Sequence, residues 1–74
     1  MQNSTDKPKL FQYAIIWHPT EKQIKDDGAK SKVILEPKMG LFKDAASCGI
    51  AAAMEIPAAH KNELDQIEIA VRPF

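Results

Sequence analysis

Apolar positions along the chain gather into three short runs and one stretch of small residues, separated by polar segments and prolines. The strongest run is residues 9–17, where aromatic and β-branched residues dominate, the composition of a strand. Successive strand side chains alternate, so Phe11, Tyr13, Ile15 and Trp17 take one face and Leu10, Ala14 and Ile16 the other. Apolar groups on both faces predict a central strand, or one whose outer face a partner covers. His18-Pro19 ends the run, because proline has no amide to give a ladder. Residues 20–31 are polar with a turn signal at Asp27-Gly28 and read as a long, mobile connection. A second strand is predicted over 32–36, stopping at Pro37, with Gly40 marking a bend and Leu41-Phe42 a short extended continuation.

Asp44 is placed to cap a helix over 45–55, its carboxylate accepting from a first-turn amide. Within that helix Ala46, Gly49, Ile50, Ala53 and Met54 recur at steps of three and four, one apolar stripe whose small members allow close packing on a sheet. Pro57 ends the helix, and 58–65 read as a turn or a single helical turn. The last strand, 66–72, sets Ile67, Ile69 and Val71 against Glu68, Ala70 and Arg72 on its two faces. Residues 1–8 are a polar tail without periodicity, which leaves 9–74 as one domain.

The first two strands are expected as antiparallel neighbours, and the helix between the second and third is a crossover, so those two run parallel. With the most apolar strand in the middle, the fold class is α+β: a small three-stranded β-β-α-β sheet of order 2-1-3 with one helix on one face. One helix cannot cover both faces of three strands. Apolar side chains of the first strand are therefore left uncovered, and exposed apolar patches mark interaction surfaces. The edge strands add free backbone groups for pairing.

Composition sharpens this picture. The chain has 74 residues, 45% of them hydrophobic, but ten of those are alanine, so few large side chains are available for a core. A domain of this size buries only about 60% of its unfolded surface and commonly leans on disulfides, a metal or a partner. Cys48 is the only cysteine, and His18, His60 and Cys48 show no metal-ligand spacing, so the expectation is no cofactor and no metal. That leaves a protein partner or self-association. Ten basic and ten acidic residues cancel, unlike the Lys/Arg surplus of dedicated nucleic-acid binders. No apolar run approaches the roughly 18 residues of a membrane span, and the N-terminus does not read as a signal peptide. The expected location is the cytoplasm or the inside of a larger particle.

Catalytic readings find little purchase. His18 beside Trp17 reads as a strand-end residue in water, because no carboxylate or nucleophile is placed in the sequence to orient its ring. Cys48, among Ser47, Gly49 and alanines, reads as a small packing residue rather than a helix-activated thiolate. Lys22, Lys25, Lys30 and Lys32 are interleaved with Glu21, Asp26 and Asp27, the mark of a solvated segment. Gly40 and Gly49 do not form a phosphate loop. Arg72-Pro73-Phe74 is different: a guanidinium and an aromatic ring stand together after the last strand, either folded back on the sheet or hooked into a neighbour.

Taken together, residues 10–19, Leu35-Glu36-Pro37, the run from Ala51 to Pro57, and residues 64–74 ending in Arg72-Pro73-Phe74 resemble a group of short, uncharacterised proteins of tailed bacteriophages. The resemblance spans roughly residues 10–74, and its best markers are the Ala-rich helix ending in Ile56-Pro57 and the Arg-Pro-Phe terminus. The polar tail and the Gly49-containing helix depart from the group. It carries no assigned activity, so it implies no catalytic or binding residue. It does imply a virion component lying on or between capsid subunits, or an early protein that blocks a host factor, in the infected cell or the virion.

The expectation is thus a non-enzymatic structural or interaction protein that binds itself or another protein, such as a capsid protein. Phe11, Tyr13, Trp17, Arg72 and Phe74 are its expected contact residues. The alternative is a small module for a nucleotide or single-stranded nucleic acid, with the same aromatics stacking on bases and the loop lysines meeting phosphates.

Overall fold

A computed structural model describes residues 7–74 of the chain; the tail predicted over 1–8 lies outside the described residues except for Lys7 and Pro8. Strand β1 (Lys9–Trp17) is followed by helix α1 (Glu21–Asp27), strand β2 (Lys32–Phe42), helix α2 (Ala45–Ala53), two short 3-10 turns at Ala58–His60 and Leu64–Gln66, and strand β3 (Ile67–Pro73). The sheet order is β2-β1-β3, and β1 runs antiparallel to both neighbours, so β2 and β3 point the same way. This is the α+β fold with the 2-1-3 order that the sequence predicts, with a second helix added.

That second helix replaces the mobile connection expected over 20–31. Its signals are local: the Thr20 hydroxyl accepts from the Gln23 amide while the Gln23 side chain accepts from the Thr20 amide, a reciprocal capping box. Gly28 closes the helix at φ 63°, a left-handed conformation that favours glycine. No residue of α1 is buried, so the helix rests on its caps and on the Gln66 side chain, which donates to Gln23 Oε1 at 2.8 Å.

Strand β2 also differs from expectation, running through Pro37 instead of stopping there. Its register against β1 shifts between Tyr13 and Ile15 and again between Ile15 and Ile16, each shift adding one residue to β2. Bulges on an edge strand are where a proline can sit without breaking a ladder. The ladder between β1 and β3 is regular from Phe11↔Pro73 to Trp17↔Ile67.

Helix α2 begins at Asp44, whose carboxylate accepts from the Ser47 amide at 2.8 Å, as the sequence predicts. Its buried residues are Cys48 and Ala52, one turn apart, while Ile50 and Met54 of the predicted stripe are 66% and 78% exposed. Size decides this orientation. Only small side chains fit between the helix axis and the large rings of β1, so the bulky members of the helix turn outward. Phe11, Tyr13, Cys48 and Ala52 form the centre of the core, with Leu35, Phe42, Ile69 and Val71 around them. Phe42 reaches both rings edge-on, with centroids 6.5 Å from Phe11 and 5.8 Å from Tyr13. Gly40 makes this possible: it pairs with Phe11, and a Cβ there would lie 2.8 Å from the Phe42 ring.

Candidate association surface

The helix settles which face of β1 is closed. Phe11, Tyr13, Ile15 and Trp17 are all buried, between 0% and 8% exposed, so three of the five expected contact residues are core residues. Their polar ends are tied down. The Tyr13 hydroxyl donates to Glu55 Oε2 at 2.7 Å, and Lys38 Nζ donates to Glu55 Oε1 at 2.9 Å while lying 5.9 Å above the Tyr13 ring. The Trp17 indole donates to Glu63 Oε1 at 3.2 Å, an oxygen also 3.1 Å from His60 Nδ1, and Lys32 lies 5.4 Å from the Trp17 ring. The Glu55 acceptor, then burial, raises the Tyr13 pKa, and the Tyr13 hydroxyl and Lys38 ammonium hold Glu55 below its ordinary value. The hydrogen bond to Glu55 likewise raises Lys38. Cys48 is pushed up by burial, the opposite of an activated thiolate.

The other face of the sheet is open. Cross-strand partners in an antiparallel ladder share a face, so the pairings define rows of side chains crossing the strands. Leu10 pairs with Leu41, and the Phe74 amide donates to the Leu10 carbonyl at 3.0 Å, giving the row Leu41, Leu10, Phe74. Its members are 65%, 38% and 76% exposed. The next row is Met39, Gln12, Arg72. Ala14 pairs with Ala70 in the third, with Pro37 beside them at the bulge, and these small residues leave a dent of about 170 Å³ lined by Gln12, Tyr13, Ala14, Pro37, Ala70 and Arg72. The fourth row is Val33, Ile16, Glu68. Arg72 and Phe74 therefore do lie on the open face, joined by Leu10, one of the first-strand residues expected to be left uncovered if the helix closed the other side, and by Met39, Leu41 and Val33, which the sequence reading left out. The missed signal was alternation continuing through Pro37, which puts Met39 and Leu41 on the face opposite Phe42.

Beyond the fourth row, His18 is not the solvent-only residue expected. Its Nε2 lies 2.6 Å from Glu68 Oε1 and its Nδ1 lies 2.8 Å from Ser31 Oγ. With the neutral ring protonated at Nε2, Nδ1 accepts from the Ser31 hydroxyl, an order of serine, imidazole and carboxylate that resembles an activated nucleophile. The His18 and Glu68 side chains are 45% and 53% exposed, where solvent weakens such a chain, and the dent is lined by none of the three residues. The arrangement forms a tie. It joins the start of β2 to β3 across the end of β1, beside the His18 amide donating to the Gln66 carbonyl at 2.7 Å.

Among the described residues, no group of three His, Cys, Asp or Glu side chains is placed to hold a metal ion, and no helix is long and apolar enough to cross a membrane. No family model, curated protein or solved structure matches the chain.

Proposed function

We propose that this chain is a non-enzymatic association module that works through the open face of its sheet. The supporting observation is the continuous row Leu41, Leu10 and Phe74, with Met39 behind it, exposed on a three-stranded sheet that its helices leave uncovered. Exposed apolar side chains grouped in this way cost solubility and persist where another surface removes them from water. The small core points in the same direction, because a domain of this size gains stability from a partner. Together with the resemblance to tailed-phage proteins, this favours a component that lies against other protein subunits, in a virion or in an infected cell. The nucleic-acid alternative draws less support, since the Tyr13 and Trp17 rings that would stack on bases are buried.

The test is site-specific photo-crosslinking in cells that produce the chain, with benzophenone side chains at positions 41 and 74 and a control at position 26 on α1. Protein adducts from 41 and 74 but not from 26 are expected, with mass spectrometry identifying the adduct. Absence of adducts from both open-face positions, or equal yields from all three, would overturn the proposal.

A further inference from the structure

We infer that the occupant of the open face is a second copy of this chain, held by an isologous contact in which Arg72 of each copy reaches Glu68 of the other. This rests on the association reading above and names its partner.

A face that pairs with itself must be self-complementary about a twofold axis. When two sheets stack face to face with β1 over β1, that axis lies between them and runs either along β1 or across the strands. An axis along β1 sets β2 over the partner's β3. Arg72 then meets the partner's Met39, and Glu68 meets the partner's Val33, so both charges are covered by apolar groups. An axis across the strands, between the Gln12 and Ala14 rows, keeps β3 over the partner's β3 in the opposite direction. Leu10 and Leu41 then sit over the partner's Ile16 and Val33, apolar against apolar. The large row Met39, Gln12 and Arg72 falls on the small row of the partner's Pro37, Ala14 and Ala70, where the dent lies. One row further on stands the partner's Glu68, within the span of an arginine side chain lying in that dent. Its Oε1 is already fixed against its own His18 at 2.6 Å, which leaves Oε2 to receive the guanidinium. Phe74 falls over the partner's Glu68, so that side chain is covered here too, but its carboxylate is paired with a guanidinium in this arrangement and left unpaired in the other.

Area sets the strength. Three strands spaced about 4.8 Å apart and four rows spaced about 6.8 Å apart present roughly 400 Å² in projection. A pair of such faces buries on the order of 1,000 Å² in total, below the roughly 1,600 Å² of a standard stable interface. The dimer is therefore weak and concentration-dependent.

Sedimentation velocity on the full chain from about 10 μM to 1 mM reads this directly, a range chosen for the weak end of the interface scale. The wild-type mass should climb from one copy toward two. R72E and E68R, each alone, should stay monomeric, because like charges then face each other at both contacts. An equimolar mixture of R72E and E68R should regain the dimer as a one-to-one pair, since every contact again joins opposite charges. The chain carrying both E68R and R72E should dimerise alone. Far-UV circular dichroism of each variant separates lost association from lost folding, and Arg72 is the cleaner site because Glu68 also holds His18. A wild-type chain that stays monomeric throughout overturns self-association and leaves the association reading to the crosslinks from position 41. Singles that dimerise as well as wild type, or a mixture that stays monomeric while wild type dimerises, overturn the Arg72–Glu68 pairing.

Discussion

Along β1, alternate side chains enter two different environments. Phe11, Tyr13, Ile15 and Trp17 lie buried on one face, the first two packed against Cys48 and Ala52 of α2, with a glutamate holding the hydroxyl of Tyr13 and another the indole of Trp17. Leu10, Gln12, Ala14 and Ile16 lie on a face with no helix over it, in rows that alternate large and small residues. The closed face is defined by fit: small residues on the helix against large rings on the sheet. The open face of β1 also carries apolar groups, Leu10, Ala14 and Ile16, but no helix of the monomer packs on them. Stability and association thus sit on opposite sides of one strand, and substitutions on the two sides are expected to separate them.

The largest effect belongs to Ile15, which is fully buried. Ile15→Ala should cost about 2–5 kcal/mol, the transfer of the lost methyl groups plus the cavity they leave. A domain of this size holds on the order of 5 kcal/mol in all, so the variant should be partly unfolded at room temperature by urea titration. Leu41→Ser, on the open face at 65% exposure, should change the folding transition by less than about 0.5 kcal/mol. It should nonetheless reduce crosslinking and dimerisation. Equal costs at the two positions would erase the distinction between the faces.

Overpacking the helix contact comes next. Ala52→Leu adds three heavy atoms where Ala52 is fully buried against the sheet, and it should cost about 1–3 kcal/mol by displacing α2. Ala53→Leu, one position along on the less buried side, should cost less.

How far the sequence disclosed these two faces depends on the range of the signal. The assignment of Phe11, Tyr13, Ile15 and Trp17 to one side of a central strand follows from period-two alternation alone, and the 2-1-3 order follows from which strand is most apolar. The Asp44 cap was equally legible, since it acts within three residues. The capping box of Thr20 and Gln23 and the glycine stop at Gly28 were just as local, yet the polar composition of α1 drew the reading toward a loop. Alternation did not say which side α2 would cover. That depended on Cys48 and Ala52 being small enough to approach the rings, a comparison between segments more than thirty residues apart. The row through Leu41, Leu10 and Phe74 was hidden for a related reason. Pro37 looked like a strand end, and only the bulged register carries β2 past it. The link from His18 to Ser31 and Glu68 needed the full register of both ladders.

The polar latch on the closed face gives a smaller, pH-dependent effect. Tyr13→Phe removes the donor to Glu55 and should cost about 1 kcal/mol near neutral pH. The two partners shift in opposite directions. Glu55 is held below its ordinary 4.5, so its contribution is present above that pH and fades as the pH falls toward the lowered value. Tyr13 is raised above its ordinary 10.0, so its contribution is present below that pH and is lost as the pH climbs through the raised value. Thermal melts of wild type should therefore fall off at both ends, and those of Tyr13→Phe should show a shallower alkaline decline, the remainder coming from Lys38, which Glu55 also raises. An unchanged alkaline limb in the variant would mean that Tyr13 is not the group responsible.

The smallest effect lies on the half-buried flank of α2. Gly49 stands mid-helix, and a methyl group there would meet no atom within 4 Å. Nothing in the packing requires glycine at this position, and its backbone is helical. Gly49→Ala should stabilise the domain by about 0.5–1 kcal/mol, because the unfolded chain loses freedom that the helix never used. The variant should dimerise over the same concentration range as wild type, since α2 and the open face lie on opposite sides of the sheet. A gain in stability with unchanged association would sharpen the division drawn along β1. A change in association would mean that α2, with its exposed Ile50 and Met54, takes part in the contact as well.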